Sequence, residues 1–589
     1  MTDNESTKSS ENGSKRSGRR MLTAWRVFFL AFLLLLAAGF FYRAATPVDD
    51  AYITYRYADN LMHGRGISFN PGERVEGYTS FGQLLLIAPF TLLGKNVVRL
   101  WSILLGLAAG AGLVALVWRR IDRERGPLAP DRPEWFAVLY LSLCTPLVIW
   151  AWSGMETVLF TFLWVAAWSA HLNEYENDRR PWLSGLLTFA AGLLHPEGVL
   201  IGLVLGASWL WPFDRRRANR AAVYFAASWG LFGLYWLWRW HYFGYLLPNT
   251  FYAKVGTTGG LIASGLIYVS RSIASGILPL VLAVELIRQR RSARGWPRWL
   301  RLALGLIAVL LAYVIWVGGD YFAFGRFLLP IYPFVVLAVW KLWTDRRAAA
   351  KPAAPGSLPW LWAAIVVAVL AVWSNLIPPG HMFQHKLLQR AVEDYVIAGA
   401  AARRAVPAEA TVATIPIGAF GFYSERRILD LMGLTDLHLA HLPIATGQRV
   451  VGHEKYDYGY VFEQQPEIIL QLPALFAKSP DGLRNWMHKT MLNPQQYTMY
   501  NYPELAANYR LCWLPAAAPA AKKRAEALGV YAYLRQDRIG RPGYQLWNDL
   551  PEEMAQTPLR EYRDIIAENQ RRFGNRRLGM WKFSSPAPN

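Results

Sequence analysis

The chain has 589 residues and a formal net charge of +21, with 53% hydrophobic, 14% aromatic and only 17% charged residues. The length allows more than one domain, and the composition excludes an ordinary soluble protein, because aromatic rings gather where one side is apolar and the other hydrated. The positive charge does not indicate a nucleic-acid partner, since the arginines lie in short loops between apolar segments, as in membrane proteins. The two cysteines, Cys144 and Cys512, are far apart in the sequence and are not expected to pair.

Residues 1–22 are predicted to be a disordered cytoplasmic N-terminus, because the segment is polar and low in complexity. Lys15, Arg16, Arg19 and Arg20 directly precede an apolar run over 24–42. A cleaved signal peptide is the alternative interpretation. The run is long for such a signal and no small-residue cleavage pattern precedes Asp49, so we interpret it as a retained membrane anchor.

Residues 23–378 are predicted to form a helical membrane module with about eleven spans, each of which needs roughly 17 to 25 mostly apolar residues. The segment 81–93 is too short and is predicted to be a re-entrant or interfacial helix. The pair 182–195 and 198–212 is the weakest assignment, and joining it into one helix would invert every later span. The candidate spans are 24–42, 97–118, 135–150, 156–171, 182–195, 198–212, 221–240, 262–287, 299–317, 327–343 and 358–377.

The distribution of arginine between the spans predicts their orientation. With the N-terminus in the cytoplasm, every inner segment carries two or more arginines, whereas most outer loops carry almost none. This asymmetry follows the positive-inside rule and leaves the C-terminal region outside the membrane. After the N-terminal basic run, the inner segments are 119–125, 179–180, 214–220, 288–301 and 345–351.

Residues 379–589 carry no credible span and are predicted to form an extracytoplasmic α/β domain of ordinary size. The pattern over 385–405 is that of an amphipathic helix, and a second helical pattern covers 480–488. Short apolar runs over 411–419, 467–472 and 509–514 indicate buried strands. The tail at 571–577 is basic.

The segment 47–80 opens a predicted catalytic outer loop over 43–96 with two adjacent carboxylates, Asp49 and Asp50. Near a membrane face, such a pair costs desolvation energy unless it is paired or used. Glycosyl transfer uses a carboxylate to take a proton from the acceptor hydroxyl, or to stabilise the developing oxocarbenium charge. Capping of the following helix is the structural alternative, and one aspartate can do both. We therefore predict Asp49 and Asp50 to be catalytic.

The rest of this segment adds four candidate residues. We predict that Arg74 binds phosphate and that Tyr55, Glu76 and Tyr78 contact the substrate. The structural alternative for the run FNPGERVEGYTS is a turn with a surface ion pair, which contributes less than ~1 kcal/mol. For Tyr78 the alternative is a position at the membrane interface.

Two motifs between predicted helices, SGMET and HPEG, add Glu156 and His195. Glu156 is a candidate substrate contact, although Ser153 and Glu156 also have the spacing of a helix capping box. His195 is a candidate phosphate ligand, and Glu197 lies two residues later. A histidine at a helix end acting as a local cap is the alternative.

Two further outer loops, PNTFYAK and GGDYFAFGR, add four candidates. Asn249 is a predicted substrate contact, and Lys254 suits a lipid-linked phosphate because it is the only cation of its loop. Contact with lipid headgroups is the alternative for Lys254. Arg326 presents a fork to phosphate oxygens, and Asp320 is a predicted substrate contact. The alternative for this second loop is an Asp320–Arg326 pair that holds the loop together.

We predict no cofactor. Closely spaced sets of histidine or cysteine are missing from the sequence, although a divalent metal stays open. The glycine-rich stretches lack the strand–helix context of a phosphate-binding loop, so a nucleotide-sugar or ATP site is unsupported.

Together these motifs resemble the GT-C superfamily of polytopic glycosyltransferases. The segment DDAYITYRYADNLMHGRGISFNPGERVEGYTS, with SGMET, HPEG, PNTFYAK and GGDYFAFGRF, is most similar to bacterial arabinofuranosyltransferases. The similarity covers roughly residues 45 to 330. It implies a GT-C type helical bundle, a polyprenyl-phosphate sugar donor used on the outer side of the cytoplasmic membrane, and Asp49 or Asp50 as the catalytic carboxylate.

The hypothesis is therefore an inner-membrane glycosyltransferase that moves a sugar, D-arabinofuranose by resemblance, to an extracytoplasmic glycan or protein acceptor. Its partners would be the polyprenyl-phosphate sugar, the acceptor and membrane lipids, with no nucleic acid. The alternatives are a transferase for a polyprenyl-phosphate hexose such as mannose or glucose, and a transporter or flippase of lipid-linked sugars. A transporter usually carries ionisable residues near mid-membrane, whereas we expect no buried charge in the predicted spans apart from Glu285, near an inner end.

Overall fold

A computed structural model describes most of the chain. The described residues are 3–42, 46–125, 135–254, 258–274, 277–289, 295–320, 322, 324–349, 380–444, 454–470, 499, 502–516 and 528–549. The predicted span 358–377, the predicted helix 480–488 and the basic tail 571–577 lie outside them.

Helices make up most of the described chain. In chain order they are α1 (Asp3–Tyr42), α2 (Asp49–Met62), α3 (Phe81–Thr91), α4 (Lys95–Arg125), α5 (Trp135–Leu143), α6 (Thr145–Trp152), α7 (Thr157–Glu176), α8 (Trp182–Leu194), α9 (Val199–Trp209), α10 (Arg215–Phe225), α11 (Leu231–Phe243), α12 (Asn249–Lys254), α13 (Thr258–Ala274), α14 (Ile277–Arg288), α15 (Arg298–Val317), α16 (Tyr332–Ala349), α17 (Gly380–Ala405), α18 (Gly418–Ser424), α19 (Leu437–Ala440), α20 (Tyr458–Glu463) and α21 (Pro503–Asn508). The strands are β1 (Thr411–Thr414), β2 (Arg427–Asp430), β3 (Ile468–Leu470), β4 (Tyr509–Ala516), β5 (Leu528–Arg535) and β6 (Asn548–Asp549).

The chain divides into two compact units. The first, here called the helical unit, comprises Met1–Pro47, Thr79–Gly244 and Thr258–Lys386. The second, the α/β unit, comprises Val48–Tyr78, Tyr245–Thr257 and Leu387–Asn589. Two stretches that were predicted as outer loops of the membrane module therefore fold with the C-terminal residues. The predicted domain boundary at 378/379 itself stays a prediction.

Several helices of the helical unit are long and apolar enough to cross a membrane. Within the described residues four helices meet this criterion, Leu22–Phe41, Lys95–Glu124, Arg298–Val317 and Arg326–Arg346, and two bent pairs raise the number to six. Large apolar side chains such as Phe29, Leu33 and Phe40 are exposed on α1, as expected for a lipid-facing surface. The protein is a multi-pass membrane protein, and the predicted fold class of a helical membrane bundle with an α/β domain is confirmed. The number of eleven spans stays a prediction.

Helix α1 begins at Asp3, within the segment that was predicted to be disordered. The physical reason is the cooperativity of helix formation. Nucleation is the costly step, so the apolar span that follows can extend its helix into a polar neighbour at little further cost.

Breaks between the short helices determine where polar side chains enter the bundle. The chain bends by 117° between helices α6 and α7, across the turn 153–156, where Gly154 has a φ of +72°. Helices α8 and α9 also stay separate, because His195 is extended, with φ −155° and ψ 134°, and Pro196 follows it. In the interior α4 and α6 approach closely: a Cβ on Gly106 would lie 2.3 Å from the carbonyl oxygen of Ala151.

In the α/β unit the described strands form a six-stranded mixed sheet with the order β2-β1-β3-β5-β4-β6. Strand β1 pairs in parallel with β2 and with β3, in registers such as Val412↔Ile428 and Val412↔Ile468. Strands β3, β5, β4 and β6 pair antiparallel. The predicted strands at 411–419, 467–472 and 509–514 correspond to β1, β3 and β4, and the sequence analysis missed β2, β5 and β6.

Candidate functional site

The predicted site residues fall into two groups, one in each unit. The α/β unit holds the residues of α2, the following turn and α12, and the helical unit holds those of the motifs SGMET, HPEG and GGDYFAFGR. The α/β group is Asp49, Asp50, Tyr55, Arg74, Glu76, Tyr78, Asn249 and Lys254, and the helical group is Glu156, His195, Asp320 and Arg326.

Asp49 binds the N-terminus of α18. Its Oδ1 accepts a hydrogen bond from the amide of Ala419 at 2.7 Å, and its Oδ2 accepts one from the amide of Gly418 at 3.1 Å. These amides have no partner inside their own helix, and the helix dipole favours a negative charge beside them. The backbone comes close here, because a Cβ on Gly418 would lie 2.0 Å from the carbonyl oxygen of Asp49. Asp49 therefore has a structural role that the sequence analysis had considered only for its own helix.

The two adjacent aspartates have different surroundings. Burial raises the pKa of Asp49 to about 7 and the charge of Asp50 adds to this effect, although the amides of Ala419 and Gly418 lower the pKa. Both carboxylates lie in the first turn of α2, where the helix N-terminus favours negative charge. Both side chains are partly exposed, and Asp50 follows Asp49 by one residue, so it projects about 100° further around the helix.

The same pair of helices is joined at its other end by Arg56, which the sequence analysis did not select. The buried Arg56 guanidinium donates to the carbonyl of Gly421 at 2.7 Å and to that of Arg426 at 2.6 Å, at the C-terminal end of α18. Helix α18 therefore has a carboxylate at its N-terminus and a guanidinium at its C-terminus, both supplied by α2, which complements the helix dipole. An arginine among the tyrosines of YITYRYA was the available signal.

Helix α18 follows β1 at the carboxyl ends of the parallel strands. The chain runs from β1 through α18 to β2, which lies on one side of β1, and the next strand, β3, lies on the other side. The connections from β1 and from β2 therefore lead in opposite directions across the sheet. In open parallel sheets anions bind at such a helix N-terminus. In this protein the anion is the chain's own Asp49.

Asp430 ends strand β2 at the same end of the parallel strands and was not predicted. Its carboxylate is buried and accepts from the amides of Met432 at 2.9 Å and Thr435 at 2.7 Å. Burial raises the pKa of Asp430 to about 6, and its charge in turn raises the pKa of Asp49. Both carboxylates thus belong to one electrostatically coupled region.

The turn after α2 is attached to the edge strand β2. The side-chain amide of Asn70 donates to the carbonyl of Ile428 at 2.8 Å and accepts from its amide at 2.9 Å, as a neighbouring strand would. A surface ion pair was the structural alternative for this turn, and Glu73 does form one, but with Arg427 of β2 outside the turn, at an Oε1–Nη2 distance of 2.8 Å. Arg74 is exposed beside it.

All four predicted substrate contacts in this unit are buried. Tyr55 is fully buried against Phe422, with ring centroids 5.9 Å apart, and Tyr78 packs on Tyr57 with a centroid distance of 4.8 Å. Glu76 is 4% exposed. Both rings pack in the core, where large aromatic side chains contribute much of the buried area, and their contact with the substrate stays a prediction.

The motif PNTFYAK is held by the α/β unit through side-chain hydrogen bonds. The amide of Asn249 donates to the carbonyls of Gly433 at 2.9 Å and Leu434 at 3.0 Å, which explains this residue structurally. The buried Lys455 donates from Nζ to the carbonyls of Tyr252 at 2.8 Å and Ala440 at 2.7 Å. Lys254, at the end of α12, is partly exposed and lies in the same unit as the aspartates.

In the helical unit the break between α8 and α9 places His195 between two glutamates. Its Nδ1 pairs with Glu197, and its Nε2 lies 4.0 Å from Oε1 of Glu156. Both glutamates are buried, and the hydroxyl of Tyr313 donates to Glu197 at 3.5 Å. The capping box that was the structural alternative for Glu156 is not formed, because helix α7 begins at Thr157 and its N-cap is therefore Glu156 rather than Ser153. The turn at Gly154 prevents the required geometry.

Arg326 and Asp320 form the pair that was the structural alternative for their loop. The Nε of Arg326 lies 2.7 Å from Oδ2 of Asp320, and both side chains are less than a tenth exposed. The guanidinium also lies over the rings of Phe322 and Phe327, 4.8 and 5.1 Å from their centroids. A paired, ring-stacked guanidinium is pre-organised to bind a further anion, provided that an anion reaches it.

The described residues contain no group of three or more His, Cys, Asp or Glu side chains that could hold a metal ion.

A family described as a domain of unknown function (DUF8728) matches residues 385–539. This match covers the greater part of the C-terminal portion of the α/β unit and assigns no activity to it.

Two curated relatives carry the name of an activity. A terminal beta-(1->2)-arabinofuranosyltransferase of Mycobacterium tuberculosis is 32% identical over 273 residues, which are 43% of this chain and 42% of the relative. The chain is similar to terminal arabinofuranosyltransferases. A protein of the same name from Corynebacterium glutamicum is 26% identical over 429 residues, which are 64% of this chain and 59% of the relative. The predicted resemblance is confirmed over these stretches, and the chain spans about half the length of the relatives it matches.

Solved structures of two other membrane proteins overlap most of the chain at low identity. ArnT of Cupriavidus metallidurans bound to undecaprenyl phosphate gives a TM-score of 0.49 at 13% identity, covering 88% of this chain and 97% of ArnT. The oligosaccharyltransferase AglB of Archaeoglobus fulgidus, in complex with an inhibitory peptide and a dolichol-phosphate, gives 0.44 at 10% identity, covering 91% of this chain and 77% of AglB. Below a TM-score of 0.5 these likenesses carry no functional argument.

Proposed function

We propose that this protein is a membrane glycosyltransferase that moves D-arabinofuranose from a polyprenyl-phosphate donor to an extracytoplasmic glycan or protein acceptor. The observation that carries the proposal is the 32% identity over 273 residues with a protein named for arabinofuranosyl transfer. Residue types that this chemistry needs are present as the carboxylate pair at the start of α2 and as Arg326 and His195 in the helical unit.

The enzyme would act in the cytoplasmic membrane, with its N-terminus inside and its α/β unit outside. The concentration of arginine in alternate interhelical segments supports this orientation. Polyprenyl-phosphate sugars are amphiphiles, so a donor would be taken from the bilayer itself.

Asp50 is the residue to which we assign proton transfer. The acceptor hydroxyl would lose its proton to Asp50 as its oxygen attacks the anomeric carbon, and the bond from that carbon to the phosphate oxygen would break. Asp49 is the positioning residue, because both of its oxygens already accept amides of α18. The raised pKa of Asp49 also leaves it partly protonated near neutral pH, which reduces the repulsion on its neighbour.

We assign the binding of the donor phosphate to cationic side chains. In the helical unit these are Arg326, which is stacked on aromatic rings and aligned by Asp320, and His195, which lies between Glu156 and Glu197. In the α/β unit Lys254 and the exposed Arg74 are the further candidates. A guanidinium stabilises the leaving phosphate because its fork matches two phosphate oxygens, and this charge is worth most where water is scarce.

The direct test is a transfer assay with the full chain in vesicles. A short-chain polyprenyl-phosphoryl arabinofuranose and an oligo-arabinofuranoside acceptor should give a product that is one pentose heavier by mass spectrometry. Vesicles lacking the protein and vesicles with Asp50→Asn are the controls.

The same preparation separates the alternatives. Transfer from polyprenyl-phosphoryl mannose or glucose, and none from the arabinofuranose donor, would replace the sugar in the proposal. Movement of the lipid-linked sugar across the bilayer, without any new glycosidic bond, would replace transferase by transporter.

A further inference from the structure

A pocket of about 270 Å³ lies between α4, α7 and α8 in the helical unit. It is lined by Arg119, Arg120 and Arg123 and by apolar side chains that include Leu116 and Phe162. Its residues on α7 run from Phe162 to Asn173, about 8 to 24 Å along the helix axis from the N-terminal end at Thr157. Its arginines lie near the C-terminal end of α7, where Arg120 pairs with Glu176, whereas His195 pairs with Glu156 just before the N-terminal end.

The side chains that line the pocket carry a net positive charge, and two glutamates beside it, Glu124 and Glu176, pair with Arg120. Among the described lining residues none is acidic. Arg120 is 8% exposed, pairs with Glu124 and with Glu176 at 3.6 Å, and lies 5.1 Å from the ring of Trp299. Its buried Nε has no hydrogen-bond acceptor among the described residues. Arg119 and Arg123 are exposed and extend the cationic surface beyond this anchored guanidinium.

The position of the pocket in the chain points to the membrane boundary. The apolar span Lys95–Glu124 ends at these arginines, with a mean hydropathy of 2.2. Arginine at such a place keeps its aliphatic stem on apolar surface while its head reaches the polar layer. A free anion would gain nothing from the walls formed by Leu116, Phe162 and Leu187, whereas an amphiphile gains from both parts.

We propose that this pocket binds an anionic phospholipid of the bilayer. The headgroup phosphate would accept hydrogen bonds from the guanidinium groups of Arg119, Arg120 and Arg123, and the first part of an acyl chain would lie along Leu116, Phe162 and Leu187. One guanidinium group can donate two parallel hydrogen bonds to two oxygens of a phosphate. Basic pockets between membrane helices bind acidic lipid headgroups. The inference is independent of the transfer reaction.

The test is a lipid titration of the delipidated full chain in an uncharged detergent, followed by native mass spectrometry. One phosphatidylglycerol should be retained at concentrations where phosphatidylcholine is not. Arg119→Gln/Arg123→Gln should weaken the retention of phosphatidylglycerol by about tenfold. Arg215→Gln/Arg216→Gln is the matched control, because it removes two exposed arginines that do not line the pocket, and it should leave retention unchanged.

A second variant tests the cavity rather than the charge. Ala170→Leu places a larger side chain in the lining while leaving the arginines in place, and it should reduce retention as well. Three results would overturn the proposal: equal retention of the two lipids, equal loss in both arginine double variants, or undiminished retention in Ala170→Leu. Displacement of the lipid by millimolar inorganic phosphate would also overturn it, since the site would then be one for a simple anion.

Discussion

Asp49 and Asp50 are chemically identical neighbours that the fold treats differently. Asp49 accepts hydrogen bonds from two backbone amides of α18, whereas Asp50 lies one position further around α2. The sequence could predict a role for the pair but could not divide that role between the two residues. The division depends on a helix that begins 369 residues later in the chain.

The two aspartates should separate in a comparison of variants. Asp50→Asn removes the proposed base but keeps the size of the side chain, so transfer should fall by about 100-fold or more while the melting temperature is retained. Asp49→Ala should instead destabilise the α/β unit by about 1 to 2 kcal/mol, as loss of a helix cap does. Transfer rates and thermal unfolding of both variants provide the measurement. A larger loss of stability in Asp50→Asn than in Asp49→Ala would contradict this division.

The raised pKa values of Asp49 and Asp430 predict how the stability of the protein depends on pH. The pKa is raised by burial to about 7 for Asp49 and to about 6 for Asp430, so between about pH 4 and 7 the folded protein keeps protons that the unfolded chain has released. Stability therefore falls as pH rises through this range, and these two groups contribute no further change above about pH 7.

Thermal unfolding followed from pH 4 to pH 8 measures this slope. Asp49→Asn and Asp430→Asn should each make it shallower. If both variants keep the slope of the parent protein, other groups cause it.

At the scale of elements, α2 and α18 form the structural basis of the carboxylate site. Asp49 binds one end of α18 and Arg56 the other, so a seven-residue helix that would not be stable alone is held at both termini. Tyr52 and Tyr55 pack on Phe422 between these two polar anchors. The site therefore depends on the distance between two short helices.

Gly418→Ala should disrupt this arrangement. The added Cβ would lie 2.0 Å from the carbonyl oxygen of Asp49, so one helix must move. We expect a loss of stability of about 1 to 3 kcal/mol, together with reduced transfer. Gly233→Ala is the control, because no atom lies within 4 Å of its added Cβ and alanine favours a helix. Equal melting temperatures for the two variants would contradict the close approach of α2 and α18.

Two variants distinguish a phosphate-binding role of Arg326 from a purely structural Asp320–Arg326 pair. If Arg326 binds the donor phosphate, Arg326→Gln should raise the KM for the donor by about tenfold or more, because a charge-assisted contact is lost. Asp320→Asn is the matched change, since it keeps the arginine and removes the charge of its partner. It should lower stability while leaving the donor KM within about threefold. An equal rise in KM for both variants would indicate that the pair only holds the loop.

At the scale of the whole molecule, the compact units do not follow the order of the chain. Val48–Tyr78 and Tyr245–Thr257 leave the helical unit and fold with Leu387–Asn589. Three separate stretches of chain thus share one α/β unit. If the proposed orientation is right, all three must lie on the same side of the membrane, which constrains the spans between them.

This constraint can be measured with protease-cleavable tags on intact spheroplasts. A cleavage site inserted after Gly72, at an exposed turn of the α/β unit, and a tag at the C-terminus should both be cut from outside. A tag at the N-terminus should be cut only after lysis, because the basic segment before α1 is expected in the cytoplasm. Protection of the Gly72 site together with cleavage at the C-terminus would contradict the common location.

The sequence by itself determined the class of the protein and the position of its polar motifs. Apolar periodicity, arginine distribution and turn residues depend on neighbours a few positions away, so they are legible without a structure. For this reason the sequence could suggest the pairing of Asp320 with Arg326 and the break between two helices at His195. The strands β2, β5 and β6 were not, because a short strand is defined by its partners more than by its own residues.

Only the tertiary structure decided what each motif touches. It placed Asp49 on α18, buried Tyr55 and Tyr78 in a core, and joined Asn249 to the carbonyls of Gly433 and Leu434. These contacts link residues that are up to 370 positions apart, and no local pattern encodes such a meeting. The physical reason is that hydrogen bonds and burial depend on distance in space, whereas sequence patterns record only distance along the chain.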